Sequence, residues 1–264
     1  MRYTYEELAG MIDHSLLHPT MTDQELEAGC QLAATYGVAS VCIKPYYVKR
    51  AAALLKRTDV KVGAVIGFPH GNSATESKRY ETESACRDGA VEIDMVINIG
   101  KALSGDWEYV ERDIRAVADE AHRHDAKVKV IFENDYLANG GAGLSSKALK
   151  IKLCQLAERA RADWIKTSTG YGFVKGADGK YSYQGATESD LKLMRANVPA
   201  RVQVKAAGGV RDLDGLIRVR DLGATRCGAT ATAAILDEYR RRAHAEQTGK
   251  KTAAKPGKLG RGGY

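Results

Sequence analysis

The stretch VEIDMVIN, residues 91–98, alternates strictly: Ile93, Met95 and Ile97 fall on one side, and Glu92, Asp94 and Asn98 on the other. Successive residues of a strand point to opposite faces, so a period of two predicts a strand with one apolar and one polar face. VKVIFE (128–133) repeats the pattern, with Val128, Val130 and Phe132 opposing Lys129, Ile131 and Glu133. In SVCIK, Val41 and Ile43 oppose Cys42 and Lys44, and in VQVK, Val202 and Val204 oppose Gln203 and Lys205. Eight such β-rich runs occur, over 10–15, 39–45, 62–68, 90–98, 127–134, 162–168, 200–209 and 223–230. Helical patterns separate them. TDQELEAGCQLAATYG opens on a Thr/Asp cap and stops at Gly37, NSATESKRYETESACRDG stops at Gly89, and SSKALKIKLCQLAERA begins at Ser145 and Ser146.

Strands alternating with helices imply parallel pairing and right-handed crossovers. A doubly wound sheet fits that alternation too, but eight evenly spaced units over about 250 residues favour closure into a single α/β (β/α)8 TIM barrel. The expected organisation is a catalytic barrel over 1–243, opening on a short N-terminal helix, and a flexible basic tail over 244–264. That tail is rich in Gly and Lys and has almost nothing apolar to bury.

Composition changes the picture in two places. The formal charge of +7 would suit a nucleic-acid binder, but residues 240–264 carry eight Lys or Arg against Glu246 alone, so the rest of the chain is neutral. The tail also lacks aromatic interleaving apart from Tyr264, so no nucleic-acid partner is expected. The five cysteines, Cys30, Cys42, Cys86, Cys154 and Cys227, are odd in number and scattered. That argues against disulfides or a zinc site and for a reducing cytoplasm. No signal peptide and no membrane-spanning run of about 18 apolar residues is visible.

The apolar strand faces must meet the helices, so the polar faces line the barrel. This places Lys44, Lys129, Lys166 and Lys205 inside with Glu92, Asp94 and Glu133, and Asp13 on the first strand. A purely structural barrel would fill those layers with Val, Ile and Leu. Mutually paired supporting charges are the alternative for any one residue, but perturbed ionisable groups in such number cluster where chemistry is done. Lys166, in ADWIKTSTGYGF, follows a strand into the core. Lysine forms imines with carbonyls and must be neutral to attack, so its pKa has to be lowered by burial or a nearby cation. Lys205, at equivalent depth on the adjacent strand, is placed to be that cation, and Asp94 can pair with it and hold a water for proton transfer. The six histidines form no ligand cluster by spacing, so neither metal nor cofactor is expected. For the phosphate end of a substrate, Gly208, Gly209, Gly228 and Thr230 lie at or after the seventh and eighth strands, where barrels bind phosphate, and Gly170 could join them.

KTSTG around Lys166, EIDMVINIG around Asp94, VKAAGGVR around Lys205 and VIGFPHG at 65–71 resemble the deoxyribose-phosphate aldolase family of class I aldolases, from about Ile12 to Ile235. The resemblance implies reversible cleavage of 2-deoxy-D-ribose 5-phosphate to acetaldehyde and D-glyceraldehyde 3-phosphate. It implies Lys166 as the Schiff-base lysine, Lys205 as the partner lowering its pKa and Asp94 as organiser of proton transfer. Asp13 matches a polar position with a supporting or substrate-hydroxyl role. The expected substrate-binding set is Asp13, Cys42, Lys44, Thr169, Gly170, Gly208, Gly209, Gly228 and Thr230. Some members end on a tyrosine that assists proton transfer at the enamine carbon, which brings in Tyr264 here. Family members are often dimers or tetramers, so a homo-oligomer is expected.

The chain departs from the family in four places. Thr230 and Ala231 stand where two serines are usual, Tyr171 where some members carry a phosphate-assisting lysine, and Lys44 where asparagine is common. VKGADGKYSYQ (174–184) reads as an inserted hairpin turning at Asp178-Gly179. Two other readings compete: a different Schiff-base barrel, such as a transaldolase or a dehydratase acting on another substrate, and a non-catalytic sugar-phosphate binder. Lys205 and Asp94 disfavour the first, and a binder has no use for two such lysines.

Overall fold

The computed structural model describes residues 1–176, 178–249 and 259. Eight parallel strands close into a barrel: β1 (Ile12–Leu16), β2 (Ser40–Ile43), β3 (Lys61–Ile66), β4 (Glu92–Val96), β5 (Lys127–Ile131), β6 (Trp164–Lys166), β9 (Gln203–Ala207) and β10 (Arg226–Ala229), which returns to β1. Two further strands, β7 (Val174–Lys175) and β8 (Tyr181–Ser182), pair antiparallel outside the barrel. Helices α1 (Tyr5–Ala9), α2 (Asp23–Tyr36), α3 (Val48–Leu55), α4 (Thr75–Arg87), α5 (Ile99–Ser104), α6 (Trp107–Arg123), α7 (Ser146–Arg159), α8 (Glu188–Ala196), α9 (Leu213–Asp221) and α10 (Thr232–Gln247) complete the units.

Local chemistry sets the helix ends. Thr22 accepts the Glu25 N–H while Glu25 returns to the Thr22 N–H at 2.7 Å, a reciprocal cap for α2, and Gly37 closes that helix in the left-handed conformation. Ser145 caps α7 from one side only, accepting the Ala148 N–H. The expected start of α4 differs: it begins after Ala74, with no side-chain cap.

The apolar strand faces pack outward as the alternation requires. Ile93, Met95, Val128, Val130 and Val204 are fully buried in one apolar core with Ile114 and Val117 of α6 and Leu149 and Leu153 of α7. Each such side chain contributes roughly 1.5–3 kcal/mol. A separate small apolar group, Leu17, Cys42 and Val65 with Phe68 and Tyr171, lines the mouth.

α10 runs to Gln247, so residues 244–247, expected in the tail, are helical. Arg242 holds this stretch by a paired contact to Asp214 (2.6 and 2.7 Å) and one to Glu238, and Ala245 is buried. Arg240 and Arg241 pair with Asp237 and Glu238. Three of the eight basic residues counted with the tail therefore belong to the barrel's last helix. Among the described residues no helix is long and apolar enough to cross a membrane.

Candidate active site

The polar strand faces meet inside the barrel in one ion-paired network. Asp94 Oδ2 accepts from Lys166 Nζ at 2.8 Å and from Lys205 Nζ at 2.7 Å, while its Oδ1 accepts from Lys129 at 2.9 Å. Lys205 also lies 2.6 Å from Asp13. Asp13 in turn receives Ser40 at 2.8 Å and Arg226 at 2.5 Å. Arg226 grips Glu92 through both terminal nitrogens, at 2.7 and 2.9 Å, and Lys129 reaches Glu92 at 2.6 Å. Strand register explains the convergence: Lys166 stands level with Lys205, and Asp94 with Lys129. Asp13, Asp94, Lys129, Lys166 and Lys205 are all essentially removed from solvent.

The two lysines that share one carboxylate oxygen are displaced in opposite directions. Burial lowers the pKa of Lys166, with Asp94 opposing and Lys205 adding to the downward push. Burial acts on Lys205 too, but Asp13 and Asp94 together hold it well above its ordinary value. Burial would raise Asp94, yet Lys129, Lys166 and Lys205 keep it far below the usual carboxylate range. The arrangement thus sets an amine pushed toward its neutral form beside a cation held protonated and a carboxylate held ionised. Those are the parts needed to attack a carbonyl and move protons around the adduct.

Cys42 joins this group, its thiol 3.8 Å from Asp94 Oδ2 and pushed up to about 11 by burial and the carboxylate charge. Two expected interior residues lie elsewhere. Lys44 follows the last residue of β2, and its ammonium leaves the barrel for the rim, donating to His18 O at 2.7 Å beside the Tyr46 and Tyr47 rings. Glu133 adopts a left-handed backbone (φ 56°) that takes its side chain out of strand phase. Its carboxylate meets none of the lysines; it accepts from Ser168 at 2.7 Å and from the Thr169 hydroxyl and N–H.

Thr169 is thereby a support of the loop after β6, and the Gly170 N–H is accepted by Ser168 Oγ at 3.2 Å. Gly208 and Gly209 follow β9 with φ 91° and 85°. A side chain at Gly208 would collide with Tyr183, whose phenol oxygen lies 1.9 Å from where a Cβ would stand. Gly228 sits within β10, and Thr230 is exposed just before Ala231, the uncapped start of α10. The hairpin turns where expected, with Gly176 N–H to Lys180 O at 2.7 Å. Its Lys175 lines a cleft of about 480 Å³ against α7 and α8 that none of Gly170, Gly208, Gly209 and Gly228 lines. Tyr171 stands edge-on to Phe68 at the mouth. Tyr264 lies outside the described residues.

Sequence reasoning missed Arg226 and Tyr183. The strand run GATRCGAT has no apolar alternation from which to read a phase, although Arg226 lies two residues before Gly228 and so on the same face. Arg226→Met should destabilise the fold by about 3 kcal/mol in urea unfolding, because Asp13 and Glu92 lose a buried partner. An unchanged midpoint would mean that Lys129 and Lys205 satisfy both carboxylates alone.

Comparison with known proteins agrees with this geometry. Residues 8–236 match the family model described as DeoC/LacD family aldolase. The deoxyribose-phosphate aldolase of Rhodopirellula baltica is 49% identical over 239 residues, covering 90% of this chain and 92% of that protein. That of Aciduliprofundum boonei is 45% identical, covering 88% and 96%. The structure of tetrameric deoxyribose phosphate aldolase from Aeropyrum pernix superposes with a TM-score of 0.77 at 27% identity, covering 90% of this chain and 92% of that one. A parallel eight-stranded barrel with a buried lysine pair on one carboxylate, matched over nearly its whole length, places the chain in the DeoC/LacD family of aldolases.

Proposed function

We propose that this aldolase is a class I deoxyribose-phosphate aldolase whose Schiff-base lysine is Lys166. The observation that carries the reading is the opposite displacement of Lys166 and Lys205 on a single oxygen of Asp94. Neutral Lys166 attacks C1 of open-chain 2-deoxyribose 5-phosphate, and loss of water gives the iminium. Removal of the C3 hydroxyl proton then breaks the C2–C3 bond, its electron pair flowing into the iminium. D-glyceraldehyde 3-phosphate leaves, and the enamine left on Lys166 takes a proton at C2 and is hydrolysed to acetaldehyde. Asp94, held ionised beside the Lys129 and Lys205 ammonium groups, and Lys205, held protonated, organise these transfers beside Lys166.

Asp13 supports Lys205 in this scheme and does not face the substrate. The backbone at Gly208, Gly209 and Gly228 with the start of α10 takes the phosphate, with Gly170 at its edge. Tyr264 as proton donor to the enamine rests on the resemblance alone. The proposal includes homo-oligomeric assembly, supported by the tetrameric Aeropyrum pernix relative. It also includes a cytoplasmic setting, consistent with five free thiols.

Sodium borohydride with acetaldehyde tests the core of the reading. One ethyl group should appear on the intact protein and map to Lys166 by peptide mass spectrometry. No adduct, or an adduct confined to another lysine, removes Lys166 from the role.

A further inference from the structure

The inserted hairpin sends one residue back into the barrel mouth. Tyr183, on the limb that leaves β8, is 5% exposed. Its phenol oxygen lies 2.8 Å from Ser168 Oγ. Ser168 gives its own proton to Glu133 at 2.7 Å and accepts the Gly170 N–H at 3.2 Å, so the phenol is the donor to Ser168. The same limb packs on the loop after β9. Ala186 N–H donates to Gly208 O at 3.1 Å. The phenol fills the space where any side chain at Gly208 would stand. Asp135 accepts the Gln184 and Gly185 N–H groups at 2.7 and 3.0 Å and anchors the limb to the segment following β5.

Resting on the deoxyribose-phosphate reading, we propose that Tyr183 is a positioning residue for the substrate phosphate: its phenol fixes the spacing between the Gly170 and Gly208 loops and so sets the preference for phosphorylated over unphosphorylated deoxy sugars. Lys166 and Lys205 are secured separately, by Asp94 and Asp13 deeper in the barrel. Loosening the two glycine loops therefore acts on the phosphate end of the substrate and leaves the reacting end in place.

The test compares wild type with Tyr183→Phe, which keeps the ring and removes the O–H. The ratio of kcat/KM for 2-deoxyribose 5-phosphate to that for 2-deoxyribose should fall about tenfold, the effect of one hydrogen bond on placing an anion. Inorganic phosphate, titrated by calorimetry, should bind more weakly by a similar factor. Equal losses on both sugars, or an unchanged ratio with unchanged phosphate affinity, overturn the proposal. Should the variant lose its thermal transition, Ser168→Ala removes the phenol's acceptor together with the Glu133 and Gly170 bonds, so the sugar ratio and the phosphate affinity should fall at least as far, and an unchanged ratio overturns the proposal. If wild type cleaves neither sugar, the deoxyribose-phosphate reading fails, while phosphate binding still decides the role of Tyr183.

Discussion

Lys166→Met is expected to lower cleavage of 2-deoxyribose 5-phosphate by about 10⁴-fold or more and to abolish the borohydride adduct, because of the three lysines on Asp94 it removes the one displaced toward the neutral amine. The remaining nitrogens of the network cannot substitute. Asp13 and Asp94 hold the Lys205 proton in place, against the opposing pull of burial. Lys129 is likewise held above its ordinary value by Asp13, Asp94 and Glu92. Methionine approximates the lysine stem in volume, and Asp94 keeps Lys205 at 2.7 Å and Lys129 at 2.9 Å, so the fold survives the change. A variant that folds, retains turnover within tenfold of wild type and still traps acetaldehyde would move the imine to a different lysine.

Lys205→Leu should cost on the order of 10³-fold at neutral pH, a loss typical of disabling acid–base machinery, with a diagnostic change in the pH profile. Lys166 is lowered mainly by burial and further by the Lys205 charge. Without that charge Asp94 acts on Lys166 with one cation fewer, and the Lys166 pKa rises. Because the neutral amine is the reactive form, activity grows as pH climbs through that pKa. The rising limb should therefore move to higher pH in the variant, and part of the lost rate should return under alkaline conditions. A uniform loss with an unmoved limb would mean that Lys205 serves only in proton transfer. Wild-type turnover would dismiss it from both roles.

The barrel and most of its interior were legible because strict alternation reports which face of a strand is buried. VEIDMVIN and VKVIFE show their phase, and Lys129, Glu92 and Asp94 are found together as that phase requires. The pattern fails where the backbone stops being a strand. Lys44 keeps the interior phase on paper, but β2 has ended at Ile43 and the chain turns at Pro45. Glu133 is displaced by a single left-handed residue, which no periodicity encodes. Arg226 stands among Gly, Ala, Thr and Cys, too small and mixed to show a face. Tyr183 lies within the insertion, where no core-facing period is set, and only the returning limb of the hairpin brings it to Ser168. The helix ends with side-chain caps, at Thr22 and Ser145, were readable because one residue's chemistry makes each of them.

Electroneutrality gives the ion network a meaning that pairwise distances do not convey. Among the described residues it contains three acids, Asp13, Glu92 and Asp94, and besides Lys166 three cations, Lys129, Lys205 and Arg226. These six balance with nothing left over, so a protonated Lys166 would place an uncompensated positive charge in a sealed, low-dielectric space. The displacement of the lysine at the end of β6 toward its neutral form thus belongs to the whole interior and not to one neighbour. Any substitution that subtracts a cation from the six, even at Arg226 on the far end of β10, draws a proton onto Lys166. Any that subtracts an acid drives the proton away.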